Sequence, residues 1–363
     1  MAARKTWKLL IANKIGATEI MMRFYKYQGA GNDFLIADNR DGHITGKDGI
    51  LTAVLEDGTV WSRAISDLCD RRYGAGADGL MLLDAGTRTD AGTRNSIPTS
   101  VNQLPADKAT DFHMTYFNSD GSGGMMCGNG GRCIVAFAYD CGVQGEKVDA
   151  QGTVRYSFTA ADGPHEAFVL EATPSGKTVR LGMKDVDIVT HYDTLTGTSV
   201  PSDGFFLDTG TRHYVRLVTE VDSYDVVGEG RDIRYNAQEL QPVGANVNFV
   251  EPSDGVLKVR TYEKGVEDET FACGTGIVAS VLAAYVTGSS PDYIGRDGRR
   301  YYRVQAKRDC LSVDFIPAEN GLASDVHLTG PAVKVCEITF YGLVFLYKKL
   351  YNNSQCSCAG VIL

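Results

Sequence analysis

A cysteine directly precedes a glycine-rich turn in the stretch Cys127-Gly128-Asn129-Gly130-Gly131-Arg132-Cys133. The turn runs into the apolar segment Ile134-Val135-Ala136-Phe137-Ala138-Tyr139, which predicts a buried helix. The same order of residues returns as Ala272-Cys273-Gly274-Thr275-Gly276, again before an apolar helical segment. A Cys-Gly-x-Gly turn therefore opens each of two helices, and we interpret the two turns as halves of one active site.

Strand-like segments surround both helices. Runs rich in β-branched and aromatic residues, several with the alternation of half-buried strands, recur between Phe24 and Phe315. Because strands, cysteine turn and helix occur in each half, the sequence predicts an α/β (α+β) fold of two pseudo-symmetric domains, each a mixed or antiparallel sheet wrapped around a central helix. The predicted limits are an N-terminal extension over 1–21, a first domain over 22–182 with a returning strand over 329–340, a second domain over 183–328 and a C-terminal tail over 341–363.

Local patterns refine this organisation. A helix is predicted over 62–69, and an exposed loop over 85–110, which is rich in Thr, Asn, Asp and Gly. The segment Gly74-Ala75-Gly76-Ala77-Asp78-Gly79 matches the G-x-G-x-x-G pattern, but a strand-like run follows it where a dinucleotide-binding loop requires a helix, so we reject a Rossmann fold. The apolar segment Ile338–Tyr347 is too short for a membrane-spanning helix, which needs about 20 residues, and predicts a strand or a docked tail.

Composition restricts the class of ligand. The net charge of −9 argues against nucleic acid or an anionic membrane as the main partner, because no excess of Lys and Arg neutralises phosphates. A small polar metabolite fits better. The 9 cysteines are too sparse for a disulfide scaffold and lack C-x-x-C spacing, so the sequence predicts no metal site and a reducing, cytoplasmic compartment.

The position of the two cysteines suggests their chemistry. A cysteine beside an apolar helix is often only a small buried hydrophobe. At a helix N-terminus, however, unsatisfied N–H groups and the dipole stabilise a thiolate, which predicts a lowered pKa, and the same N–H groups can hold a carboxylate. Two facing cysteines suit inversion of a stereocentre, in which one thiolate removes a proton and the other thiol delivers one to the opposite face. A Cys–His hydrolase needs only one cysteine.

Two further residues are candidates for proton chemistry. His213 stands at a turn-to-strand junction, where a half-buried strand histidine is an equal alternative. Glu263 comes shortly before Cys273, where a solvated turn residue is the alternative. Each is a candidate to tune a thiol or to act as its proton partner.

Four spaced motifs resemble one family. They are Gly29-Ala30-Gly31-Asn32-Asp33-Phe34, Phe117-Asn118-Ser119-Asp120-Gly121-Ser122, Cys127-Gly128-Asn129-Gly130 and Ala272-Cys273-Gly274-Thr275-Gly276, in the order seen in diaminopimelate epimerases. The resemblance, from about Arg23 to Phe340, implies a pyridoxal-phosphate-independent isomerase that interconverts LL- and meso-2,6-diaminopimelate on the route to lysine and peptidoglycan. It also implies two pseudo-symmetric domains closing over a small-molecule substrate, no cofactor or metal, and a cytoplasmic homodimer.

The resemblance assigns roles by motif position. Cys127 and Cys273 would be the two acid/base residues. The N–H groups offered to the α-carboxylate would come from Gly128, Asn129, Gly274 and Thr275. The residues that bind the distal end would be Asn32, Asn118 and Asn246. Glu263 and Lys264 would also bind substrate, while His213 and Glu263 would adjust the thiols.

Three positions depart from the family. Lys264 stands where an arginine is usual, which keeps the charge but loses the bidentate fork for a carboxylate. Gly79 stands where a glutamine sometimes occurs, and Thr211 replaces the asparagine of a Gly-Asn-Pro-His segment. A proline or hydroxyproline racemase-epimerase of the same fold is the alternative, although those relatives tend to carry His where Asn129 stands. A catalytically inactive or redox-regulated binding protein is the alternative from another class.

Overall fold

The computed structural model describes residues 13–14, 17–55, 58–88, 109–124, 126–186, 189–192, 204–237, 240–253, 255–318 and 323–345. The helices in these residues are α1 (Ile65–Cys69), α2 (Gly128–Asp140), α3 (Val226–Asn236) and α4 (Gly274–Val286), with a 3₁₀ turn over Val221–Ser223. None of these helices is long and apolar enough to cross a membrane.

Among the described residues, twelve strands belong to the first half of the chain and nine to the second, while the last strand serves both. The strands of the first half are β1 (Asn13–Lys14), β2 (Ala17–Gly29), β3 (Asn32–Asn39), β4 (Ile44–Lys47), β5 (Ile50–Val54), β6 (Val60–Ala64), β7 (Gly79–Ala85), β8 (Phe112–Asn118), β9 (Glu146–Lys147), β10 (Val154–Ala160), β11 (Gly163–Thr173) and β12 (Gly176–Gly182). The strands of the second half are β13 (Val189–Tyr192), β14 (Gly204–Asp208), β15 (Arg212–Leu217), β16 (Asn246–Ser253), β17 (Val256–Glu263), β18 (Asp268–Thr270), β19 (Tyr293–Ile294), β20 (Arg300–Gln305) and β21 (Cys310–Ile316). The shared strand is β22 (Ser324–Phe345).

Seven strands of the first half and the shared strand β22 form a closed ring. The order is β2, β3, β7, β8, β10, β11, β12 and β22, after which β22 pairs back with β2. The β3–β7 and β8–β10 pairs are parallel and the others antiparallel. Parallel neighbours need a crossover connection, and here α1 and α2 lie in those two connections. Closure leaves this sheet without free edges around its centre.

The second half repeats this order of pairings. From β14 through β15, β16, β17, β20 and β21 to β22, the pairs are antiparallel, parallel, antiparallel, parallel, antiparallel and antiparallel. The crossovers of its two parallel pairs contain α3 and α4. The prediction of two pseudo-symmetric sheets, each around a central helix, is therefore confirmed.

The two central helices are buried because α4 is apolar nearly all round and α2 is so apart from Asn129 and Arg132 in its first turns. Every residue of α2 from Gly128 to Ala138 is buried, among side chains that include Tyr27 and Phe158. In α4 the residues from Gly276 to Ala284 are buried in a second cluster. The sheets thus hold both helices in fixed directions, with the glycine-rich N-terminus of each aimed at the other half.

The predicted helix over 62–69 is wrong in its first turn. Val60–Ala64 is strand β6, which pairs with β5 in a separate small sheet, and only Ile65–Cys69 is helical. Trp61 is buried in that sheet while Ser62 and Arg63 are exposed, so this stretch was an edge of a sheet that the sequence analysis did not detect. Strands β4 and β5 and helix α3 were also not predicted from the sequence.

The paired ends of β2 and β22 extend past the predicted limits of the N-terminal extension and the C-terminal tail. β2 begins at Ala17, inside the predicted N-terminal extension, and pairs with β22 as far as Phe345, inside the predicted tail. The predicted strand over Ile338–Tyr347 is confirmed up to that residue. Most of the loop predicted over 85–110 lies outside the described residues, as do 1–12 and 346–363. The domain limits stay a prediction.

Candidate active site

Each cysteine turn forms the N-cap of its helix. Cys127 precedes α2 in an extended conformation, and its Sγ accepts a hydrogen bond from the backbone N–H of Gly130 at 3.2 Å. Cys273 precedes α4 in the same way, and its Sγ lies 3.4 Å from Oγ1 of Thr275. The predicted positions at two helix N-termini are therefore confirmed.

The two helix N-termini meet in the centre of the molecule. A Cβ atom on Gly274 would lie 3.2 Å from Cα of Gly128 and 3.5 Å from the backbone nitrogen of Asn129. Only glycine allows the two backbones to approach this closely. The site is consequently assembled from both halves. The two thiols are close enough that the negative charge of a Cys127 thiolate raises the pKa of Cys273.

Burial sets the acidity of both thiols. It raises the pKa of Cys127, and it raises the pKa of Cys273 to about 12. The N–H group of Gly130 and the hydroxyl of Thr275 act in the opposite direction but do not outweigh burial. The prediction of lowered thiol pKa values is therefore wrong for the ligand-free protein, because desolvation disfavours a thiolate more than the helix ends favour it.

Glu263 lies where it acts electrostatically on both thiols. Its charge raises the pKa of Cys127 and of Cys273. Burial in turn raises the pKa of Glu263. Its Oε2 atom is buried and has no hydrogen bond of full geometry to a described residue, although the neighbouring Thr270 hydroxyl acts in the opposite direction on the Glu263 pKa. A buried carboxylate oxygen without a partner is costly unless a ligand supplies a donor.

His213 is joined to Cys273 through a threonine. It is completely buried, and burial lowers its pKa to about 3. Nδ1 accepts from Nδ2 of Asn248 at 3.0 Å, and that amide nitrogen also lies 3.4 Å from the carbonyl oxygen of Tyr214, which fixes it as a donor. The ring proton is therefore on Nε2, which lies 2.9 Å from Oγ1 of Thr275. The N–H group of a neutral imidazole thus faces the Thr275 hydroxyl, which contacts the sulfur of Cys273.

Thr211 and Asn248 complete this polar chain. Oγ1 of Thr211 lies 2.9 Å from Nε2 of His213 and 3.0 Å from Oγ1 of Thr275. Asn248 was not singled out from the sequence. The available signal was its place two residues after Asn246, which puts both side chains on one face of a strand.

Asn129 connects the two halves. Its Nδ2 atom donates to Oδ1 of Asn32 and, at 2.9 Å, to the carbonyl oxygen of Ala272. Its Oδ1 atom accepts from Arg132 at 2.8 Å. The side chain of Arg132 is fully buried and lowers the pKa of Cys127, so it is a positioning group that the sequence analysis quoted without a role.

The remaining predicted substrate residues lie around this centre. Asn32 donates to Asp78 at 3.1 Å, and Asn118 donates to Ser122 at 2.9 Å. Asn246 is buried, and its Oδ1 accepts from the backbone N–H of Lys264 at 2.9 Å. Lys264 itself is exposed, so the structure holds its backbone rather than its ammonium group.

Solved structures share this fold. A probable proline racemase from Agrobacterium radiobacter K84 superposes with a TM-score of 0.58 at 14% identity and covers 87% of this chain and 92% of its own. A phenazine biosynthesis protein of the PhzF family from Bacillus anthracis gives 0.57 at 12% identity, over 88% of this chain and 99% of its own. At these identities the likeness concerns the fold alone.

Curated relatives identify the class and the family. The chain is 36% identical over 319 residues to a diaminopimelate epimerase from Flavobacterium psychrophilum, which covers 88% of this chain and 100% of that protein. It is 35% identical over 321 residues to one from Aquifex aeolicus, covering 87% and 96%. The protein is therefore an isomerase. A model of the family described as diaminopimelate epimerase matches residues 24–155 and 205–294, and the chain belongs to that family.

Proposed function

We propose that this chain interconverts LL- and meso-2,6-diaminopimelate without a cofactor, with Cys127 and Cys273 as acid and base. The observation that carries the proposal is the meeting of two helix N-termini, each capped by a cysteine, inside one buried site. The names of the bacterial relatives give the activity and the substrate.

The converging helix ends favour a carboxylate. Each N-terminus carries roughly half a positive charge and several unsatisfied N–H groups. Two such ends facing each other repel one another unless an anion lies between them. We therefore assign the α-carboxylate of the substrate to the N–H groups of Gly128, Asn129, Gly274 and Thr275. There it also stabilises the charge that develops when the α-proton leaves.

Glu263 is suited to the α-ammonium group. Its Oε2 atom is buried with only the Thr270 hydroxyl near the carboxyl and no hydrogen bond of full geometry, and an ammonium donor would remove that cost. Once an ammonium pairs with it, Glu263 opposes thiolate formation less, because after burial its negative charge is the main effect that raises the pKa of Cys273. Substrate binding thus prepares the thiols for proton transfer.

The proton transfers balance without any other reagent. The thiolate of one cysteine takes the α-proton, so a C–H bond breaks and an S–H bond forms. The thiol of the other cysteine gives its proton to the opposite face of the same carbon and becomes the thiolate. Because burial raises both pKa values, a thiolate formed here is a stronger base than one in water. The direction of the reaction exchanges the two roles.

His213 stabilises the Cys273 thiolate and does not act as the base that removes a proton from the thiol. Its Nδ1 is occupied by Asn248, and its Nε2 carries the proton. We infer that Nε2–H donates to Oγ1 of Thr275, whose hydroxyl then donates to a Cys273 thiolate. This chain of donors favours the charged sulfur without moving a proton onto the ring.

The distal end of the substrate is assigned to the amides of Asn32, Asn118 and Asn246, with Lys264 at the exposed rim. A cytoplasmic homodimer and the two-domain limits of the sequence analysis are proposed on the resemblance. Light scattering on the purified protein measures the oligomeric state. A monomer at every concentration would contradict the homodimer alone.

Deuterium incorporation tests the two-thiol mechanism. The reduced protein is incubated with LL-diaminopimelate in D2O, and deuterium at the α-carbon is followed by NMR. We expect exchange with formation of the meso form. Cys127→Ala and Cys273→Ala should each lose roughly 10²–10⁴-fold in rate, because each removes one proton-transfer group.

Cys310→Ser is the matched control, because Cys310 is an exposed thiol outside the site. It should keep the full rate. An unchanged rate in the Cys127→Ala, Cys273→Ala double variant would contradict the mechanism. Exchange into proline but not into diaminopimelate would contradict the substrate and favour a racemase of proline.

A further inference from the structure

Tyr116 lies on the same face of the sheet as Asn118. In the antiparallel β7–β8 pair, Tyr116 is opposite Met81 and Asn118 is opposite Gly79. Residues two apart on a strand share a face, and directly opposite residues point to the same side. All four positions therefore face the interior where α2 begins, since Cys127 contributes to the electrostatics of Tyr116.

The Tyr116 ring occupies the space beside two glycines. A Cβ atom on Gly79 would lie 2.7 Å from Cε2 of the ring and 2.8 Å from its hydroxyl oxygen, and one on Gly124 would overlap Cδ1. Phe34 packs against the ring edge to face, with centroids 6.2 Å apart. The ring is consequently clamped, and its hydroxyl stands at the position that a side chain at 79 would fill.

The hydroxyl points into a polar environment but has no described hydrogen-bond partner. Cys127, Asp78 and Glu263 act on it electrostatically, and burial raises the pKa of Tyr116. The phenol therefore stays protonated and remains a donor. The neighbouring amides already use a donor each, since Asn32 donates to Asp78 and Asn118 to Ser122. The Tyr116 hydroxyl, by contrast, donates to no described residue, so its proton is available to a ligand.

We propose that Tyr116 is a further substrate-binding residue, whose hydroxyl donates a hydrogen bond to the carboxylate at the distal end of the substrate. This inference rests on the proposed function, because it takes the distal carboxylate from that substrate. It explains how the site tolerates glycine at position 79: the phenol supplies a polar group at the place where a longer side chain would reach.

Tyr116→Phe tests the inference, because it removes the oxygen and keeps the ring between the glycines. We expect KM for diaminopimelate to rise roughly 10- to 100-fold, the loss typical of a hydrogen bond to a charged group, with kcat and the melting temperature nearly unchanged. The dissociation constant for diaminopimelate, measured calorimetrically in a Cys127→Ser, Cys273→Ser background, should rise by the same factor. A purely structural role for the hydroxyl would leave that constant unmoved.

Tyr139→Phe is the matched control. Tyr139 lies near the C-terminal end of α2, where its ring faces Nζ of Lys177 at 5.6 Å, an interaction that phenylalanine retains. It should keep the wild-type KM. An active wild type with unchanged KM and dissociation constant in Tyr116→Phe overturns this inference alone. Absence of exchange by the wild type overturns the proposed function and this inference together.

Discussion

Two opposing effects act on the pKa values of the Cys127 and Cys273 thiols. A helix N-terminus favours an anion by about 0.3–1 kcal/mol, and up to about 2 kcal/mol in partly buried sites. Complete burial shifts a pKa by up to about 3–5 units, and one unit corresponds to about 1.36 kcal/mol. Burial is the larger effect, so both pKa values rise. Both thiols are therefore protonated until a bound ligand changes the charges around the sulfur atoms.

Thiol alkylation measures this directly. Iodoacetamide reacts with thiolates, so at about pH 8 we expect the exposed Cys310 to be labelled in the ligand-free protein while Cys127 and Cys273 stay unmodified. Because their folded pKa values are raised above the unfolded value near 8.5, their labelling should increase only as pH rises further. Peptide mass spectrometry gives the rates. Equal rates for all three thiols at pH 8 would contradict the expectation.

At the scale of elements, the sequence was most informative where one signal dominated. Both predicted apolar segments are helical, but α2 and α4 begin earlier, at Gly128 and Gly274, so the glycine turns are themselves the first turns of the helices. α3 was not predicted, because its glycines lower the helix propensity of the sequence. Its available signal was Asp225, an N-cap that accepts from the N–H of Gly228 at 2.9 Å. Weak local propensity was overridden there by packing against β16 and β17.

The contact between α2 and α4 predicts the effect of Gly274→Ala. The added methyl group would lie 3.2 Å from Cα of Gly128 and 3.1 Å from Cδ2 of Leu328. Because one of these neighbours is backbone, the helix ends must move apart, and we expect kcat/KM to fall at least about tenfold, as small displacements of reacting groups do. Steady-state kinetics measure the loss.

Gly123→Ala is the control, because a Cβ atom there would meet nothing within 4 Å. It should retain the wild-type kcat/KM. If Gly274→Ala were equally active, the close approach of the two helix ends would have no part in the reaction.

At the scale of the whole molecule, one strand and one ion cluster hold the halves together. β22 pairs with β21 of the second half, then with β12 and β2 of the first. Beside it, Asp314 of β21 is buried between Arg180 of β12, at 2.6 Å, and Arg299, at 2.7 Å. The alignment of the two cysteine turns depends on this junction.

Replacing Asp314 should weaken the junction strongly. Asp314→Asn leaves Arg299, whose side chain is only 7% exposed, with only the largely exposed Asp325 and Asp297 as counter-charges. Breaking a buried pair costs about 3–5 kcal/mol of unfolding free energy, which urea denaturation measures. Asp292→Asn is the control, since its pair with Arg303 is largely exposed and should contribute less than about 1 kcal/mol. Similar losses in both variants would contradict this account of the junction.

Local residue patterns were enough to predict the two cysteine turns, their helices, most of the strands and the family. These features depend on residue order over short distances, where periodicity and glycine placement act locally. The raised pKa values of the thiols, the proton on Nε2 of His213 and the closed ring around α2 became apparent only from the folded structure. It also brought Tyr116 beside Gly79. Each of these depends on burial or on contacts between residues far apart in the chain, which no local pattern encodes.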